Sequence, residues 1–298
     1  MTGDPTMNRP HPLLLASLLF PSLHVAPAVA ETWATCTGTI ASLPAVISSQ
    51  GTWCLAQDLS TAATSGAAIT ISANNVTIDC NGHRIGNLAA GAATTATGVL
   101  AEGRRNATLR GCHVRGFASG IHLTGAVSGQ VTSSGHIVED VVVEASTMQG
   151  IVVKGRDSIV RRNRVLDIGL NPQGLPVAGI AVVGTVDVVD NLVDGAASDA
   201  AGIGPTWGIY AEGLDGILIA RNRVRGVLPG AGYGYGIFYV GTASALSEIR
   251  GNTLHRADPN TTWIRCTPGY LAHARDNAAM GWGSGSSVCY EDDELSSS

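Results

Sequence analysis

Aromatic residues make up 5% of this 298-residue chain and charged residues 14%, and lysine occurs once, at Lys154, among 18 basic residues. With so little charge and 45% hydrophobic residues, the composition excludes a disordered chain. The formal net charge of −5 gives no overall attraction for phosphates, which argues against a nucleic-acid partner. No apolar run approaches the length of a membrane span, so stable membrane insertion is not expected. Zinc CxxC pairs, an HExxH motif and a Walker loop are absent, which removes the main sequence support for zinc and nucleotide chemistry.

The N-terminus reads as an export signal over residues 1–30. A weakly basic start at Met7-Asn8-Arg9 precedes the apolar stretch Leu13 to Phe20 and the small-residue site Ala28-Val29-Ala30. This reading places the protein outside the cytoplasm, secreted or periplasmic. All six cysteines follow that site, and an even number in an exported chain favours disulfides. Sequence alone permits many pairings; spacing favours Cys36–Cys54, Cys80–Cys112 and Cys266–Cys289.

A repeat dominates the remainder. Gly-Ile or Gly-Val opens a short apolar strand at Gly98, Gly120, Gly150, Gly179, Gly208 and Gly236, at intervals of 22 to 30 residues. Such a period signals a solenoid. Each opening leads to a second apolar stretch, an asparagine and a third stretch, as in SIVRRNRVLDI and ILIARNRVRGV. Apolar residues alternate with period two, so each turn contains three strands. Aligning Asn163, Asn191, Asn222 and Asn252 places Val160, Val188, Ile219 and Ile249 inward before them, and Val165, Val193, Val224 and Leu254 inward after them. The asparagines read as a structural ladder whose amides bond from one turn to the next. Charges alternate beside it: Asp79, Arg110, Glu139 and Arg161 at one position, Asp140, Arg162, Asp190 and Arg221 at the next. Opposite charges then meet on neighbouring strands. The alternative is a basic strip containing Arg161, Arg162, Arg164, Arg221, Arg223 and Arg225 that grips an acidic glycan.

The GI…G and N-x-[ILV] units resemble those of right-handed parallel β-helix proteins of the pectin-lyase-like superfamily, and NNVTIDCNGHRIGN resembles their opening coil. The resemblance covers roughly residues 66–262. It implies an all-β, right-handed parallel β-helix, a three-strand solenoid of about seven coils. Disulfide-stapled caps are expected over 31–65 and 263–298, the latter including an acidic tail.

Enzymes of this superfamily bind glycan along the outer face of the strand that here carries the GI motif. On that face the outward positions are Leu100 and Glu102, His122 and Thr124, Val152 and Lys154, Ala181 and Val183, Tyr210 and Glu212, Phe238 and Val240. For β-elimination on a uronate polymer, Lys154 beside His122 is the candidate base and Tyr210 the candidate acid. Phe238, Thr124, Arg162 and Arg221 are candidate substrate contacts. No cofactor is required; calcium, held by Glu102 or Glu212, is the one metal considered. The hallmark segments of polygalacturonases are missing, and Gly135-His136 lacks a second glycine. The partner expected is an acidic polysaccharide, with no oligomeric state assigned. The competing function is a non-catalytic β-helix that binds glycan or builds a cell-surface structure.

Overall fold

A computed structural model describes Met1 and residues 35–127, 130–131, 134–213, 216–241, 247–255, 258–267, 272–281 and 289–291. The expected export signal and the tail beyond Glu291 lie outside the described residues. All strand pairing outside the two-stranded hairpin Ala126–Val127/Gln130–Val131 is parallel, each strand joining its counterpart one turn along. The chain is a right-handed parallel β-helix of about eight turns.

Three faces make up the coil. The first carries the GI motif and runs from Ala45–Ile47 to Thr261–Cys266. The second runs from Gly38–Ile40 to Tyr290–Glu291, and the third, nine-stranded, from Leu59–Ser60 to Ala278–Met280. Two 13-residue strands, Gln149–Arg161 and Val177–Val189, pass without a break from the first face to the second. Coil pairing continues on both sides of residues 66–262. Ala45–Ile47 pairs with Ala67–Ile71, and Ala278–Met280 pairs with Thr253–His255. The three disulfides are Cys36–Cys54, Cys80–Cys112 and Cys266–Cys289.

Inside, like residues stack on like. A column of β-branched residues runs from Ile69 through Val99, Ile121, Ile151 and Ile180 to Ile264, all fully buried. The ladder lies at the second corner. Asn163 donates through Nδ2 to Asn191 Oδ1 at 3.0 Å, Asn191 to Asn222 at 3.0 Å, and Asn222 to Asn252 at 3.0 Å. It extends one coil beyond expectation, to Asn277 at 2.9 Å. Each amide also reaches back to a carbonyl of the preceding coil, such as Val160 or Val188. The residue just before each ladder asparagine turns the corner with positive φ, which explains Gly251 there; Arg162, Asp190 and Arg221 also adopt it, as does Asp140 before Val141 at the same slot, at φ 54 to 59°. These four form the expected charge pairs, Arg162 with Asp140 and Arg221 with Asp190, both at 2.7 Å.

The repeated glycine has a steric cause. A Cβ on Gly179 meets Val193 Cγ1 from the third face and lies 2.7 Å from the Gly208 carbonyl oxygen. Gly120, Gly150 and Gly208 meet the equivalent Val143, Val165 and Val224. Gly179→Ala is therefore expected to cost about 1–3 kcal/mol. The check is the denaturant midpoint at unchanged slope; a midpoint equal to that of the parent contradicts this packing.

Candidate functional site

Glycine and the residue after it both point inward, so the outer surface of the first face is formed by three columns: the residue before the glycine and the second and fourth after it. In the second column, His122 lies beside Leu100 and Val152, with Ala181, Tyr210, Phe238 and Arg265 farther along. In the third, Glu102, Thr124, Lys154, Val183, Glu212 and Val240 follow one another. The first column contributes Ser119, Gln149, Ala178, Trp207 and Tyr235.

Two patches result. At the polar end, Thr124 stands between Glu102 and Lys154, and His122 lies one pleat away on the same strand. Burial and the Lys154 charge hold the His122 imidazole below its ordinary range against the opposing pull of Glu102, which favours neutral imidazole at neutral pH. Arg104 follows the neighbouring strand Thr97–Glu102. Its backbone N–H bonds to the Thr124 carbonyl, and its half-buried side chain has an Nε without a partner among the described residues.

At the apolar end four rings gather. Tyr210 and Phe238 lie 6.0 Å apart with planes 16° from parallel, Trp207 is 5.0 Å from Tyr210, and Tyr235 is 4.9 Å from Phe238. Small outward residues make room for this: Trp207 and Tyr210 pack over Val152, Ala178 and Ala181. Arg265 lies over the Tyr235 ring at 5.9 Å. Beside the first column, the long turns of three successive coils join into one rim, through Leu170 N–H to Ala197 O (2.8 Å) and Thr206 N–H to Tyr233 O (2.9 Å).

The structure thus brings Lys154, His122, Thr124 and Glu102 together, and Tyr210, Phe238 and Glu212 together, while separating the two groups. Lys154 and Tyr210 are on strands two steps apart, roughly 10 Å. The Tyr210 hydroxyl donates to Glu212 at 3.2 Å, and burial, then the Glu212 charge, pushes its pKa up to about 12. Glu102 and Glu212, the alternative calcium positions, are four strands apart, roughly 19 Å. Among the described residues no group of three or more His, Cys, Asp or Glu is placed to hold a metal. Arg162 and Arg221 sit at the corner between the second and third faces, away from this surface and in ion pairs.

Sequence reading missed Trp207, Tyr235, Arg104 and Arg265. The available signal was the residue before the motif, in Trp-Gly-Ile and Tyr-Gly-Ile.

No protein-family model and no curated protein matches the chain. Among solved structures it is similar to the A-modules of two mannuronan C-5 epimerases of Azotobacter vinelandii. For AlgE4 the identity is 13% and the TM-score 0.40, over 86% of each chain. For AlgE6 they are 13% and 0.37, over 86% of this chain and 88% of that one. The likeness goes no further than the β-helix architecture already evident in the strand pairing.

Proposed function

We propose that the outer first face binds an acidic polysaccharide running along the solenoid axis, outside the cytoplasm, where the disulfides belong. The observation that carries this reading is the four-ring strip flanked by cations, Arg265 at one end and Lys154 at the other. Clustered half-exposed rings on a chain with few aromatics mark a contact surface. The apolar faces of sugar rings pack on the strip, and the flanking cations select carboxylates. Trp207→Ala and Phe238→Ala are each expected to weaken retention by about tenfold in affinity electrophoresis through polygalacturonate or alginate. Unchanged migration of both variants rejects the assignment.

A second reading, β-elimination, is favoured by the His122 environment. The neutral imidazole takes the proton from the carbon next to the uronate carboxylate, whose charge Lys154 offsets. The released electron pair forms the carbon–carbon double bond, and the glycosidic oxygen leaves and takes a proton from solvent. Roles shift from those expected: histidine is the base, and lysine the charge partner. His122→Ala and Lys154→Ala are then expected to abolish the absorbance of unsaturated uronate at unchanged thermal midpoint. No absorbance on any acidic polymer discards elimination and leaves binding standing.

A further inference from the structure

On the second and third faces the described arginines follow a rule: each is met by a carboxylate on the same or a neighbouring coil. Arg110 bonds Asp79, Arg161 bonds Glu139, Arg221 bonds Asp190 and Arg225 bonds Asp194, at 2.7 to 2.8 Å. Arg164 and Arg223 break it. Both are exposed on the third face, immediately after the ladder asparagines of their coils, and neither has an ion-pair partner among the described residues. They share one outward column with only Leu192 between them, at two strand spacings, roughly 10 Å. Nearby carboxylates are engaged: Asp190 with Arg221, Asp194 with Arg225, and Asp140 with Arg162. Asp167, exposed on the Arg164 strand, forms no ion pair with it.

We infer that this face is a second site for acidic polysaccharide, where Arg164 and Arg223 each grip a carboxylate of a chain lying parallel to the solenoid axis. Charge complementarity carries the inference, since the unmatched positive charges of this corner fall on these two guanidiniums, and their planar forks suit carboxylate oxygens. No aromatic side chain lies in the outward columns here, so attachment is electrostatic and salt-sensitive, unlike attachment to the ring strip. With glycan on both faces, one protein bridges two polymer strands. This last consequence rests on the reading of the first face; the second site itself does not.

The test compares the full chain with R164Q/R223Q and W207A/F238A, measuring affinity for polygalacturonate by calorimetry at low and high salt and the turbidity of the mixture. R164Q/R223Q is expected to lose about tenfold of its low-salt affinity and all of the turbidity while keeping the salt-resistant binding. W207A/F238A is expected to keep a salt-sensitive mode. Parent-like affinity and turbidity in R164Q/R223Q overturn the second site, as does equal affinity of the parent for polyglutamate, which marks a surface selective for charge alone. If W207A/F238A changes nothing while R164Q/R223Q weakens binding, the first-face reading fails and the second site stands.

Discussion

Alanine in place of Asn191 is expected to lower stability by about 3–5 kcal/mol, more than any other single side-chain truncation considered, because one buried amide serves three coils. Asn191 Oδ1 accepts both the backbone N–H and the Nδ2 of Asn163, each at 3.0 Å. Its own Nδ2 donates to Val160 O at 2.9 Å, Val189 O at 3.1 Å and Asn222 Oδ1 at 3.0 Å. Truncation leaves the Asn163 N–H buried without its acceptor, at about 1–3 kcal/mol before local relaxation, and takes one partner each from Asn163 Nδ2, Val160 O and Asn222 Oδ1. Asn277, the last described asparagine of the ladder, lacks this two-sided role, so Asn277→Ala costs less. Chemical unfolding of the two variants checks the order; equal losses contradict a ladder that transmits bonds from coil to coil.

Acid is the second large effect. His136 is fully buried inside the solenoid, where its Nδ1 accepts from Ala107 N–H at 3.2 Å and its Nε2 has no partner among the described residues. On the neighbouring coil, Ser158 Oγ accepts from the His136 backbone N–H at 2.9 Å and lies 3.0 Å from Ser134 Oγ, and no charged group contributes to the shift of the ring. Burial lowers its pKa from 6.5 to about 4. Between those values the unfolded chain binds a proton that the native chain refuses, so stability falls as pH drops from 6.5 to about 4, by about 3 kcal/mol. Above 6.5 this histidine contributes nothing, and below 4 its loss is complete. His122, also lowered, acts in the same direction. Asp140, Asp190 and Glu248 are lowered chiefly by hydrogen bonds from arginines, so their stabilisation is lost farther into the acid range. His136→Gln keeps an acceptor for Ala107 and is expected to flatten the unfolding midpoint between pH 7 and 4.5. Parallel profiles for parent and variant contradict the assignment.

These two effects also show what could be read from sequence. The ladder was legible because stacking forces the same residue into the same slot of consecutive coils. His136 was not, since its coil follows the Ala126–Val131 hairpin segment, which interrupts the period. The Glu102, Thr124, Lys154 and His122 patch followed from strand parity. Trp207 and Tyr235 escaped because two consecutive inward residues, glycine and isoleucine, shift the parity of the residue before them. Parity put Lys154, Tyr210, Glu102 and Glu212 on one face without giving their spacing along it. Sharing a face does not mean sharing a site when every intervening coil adds about 4.8 Å. Arg162 and Arg221 satisfied two readings in sequence, and the structure places both beside aspartates.

The central claim is that the ring strip of the first face holds an acidic glycan. Calorimetric titration of a uronate oligosaccharide into the parent and into W207A/F238A, at about 1 M salt where the Debye length is ~3 Å, tests it most directly. The account predicts measurable binding by the parent, no binding of the oligosaccharide by the variant, and an unchanged unfolding midpoint. Equal binding by both proteins, or none by the parent, would contradict it.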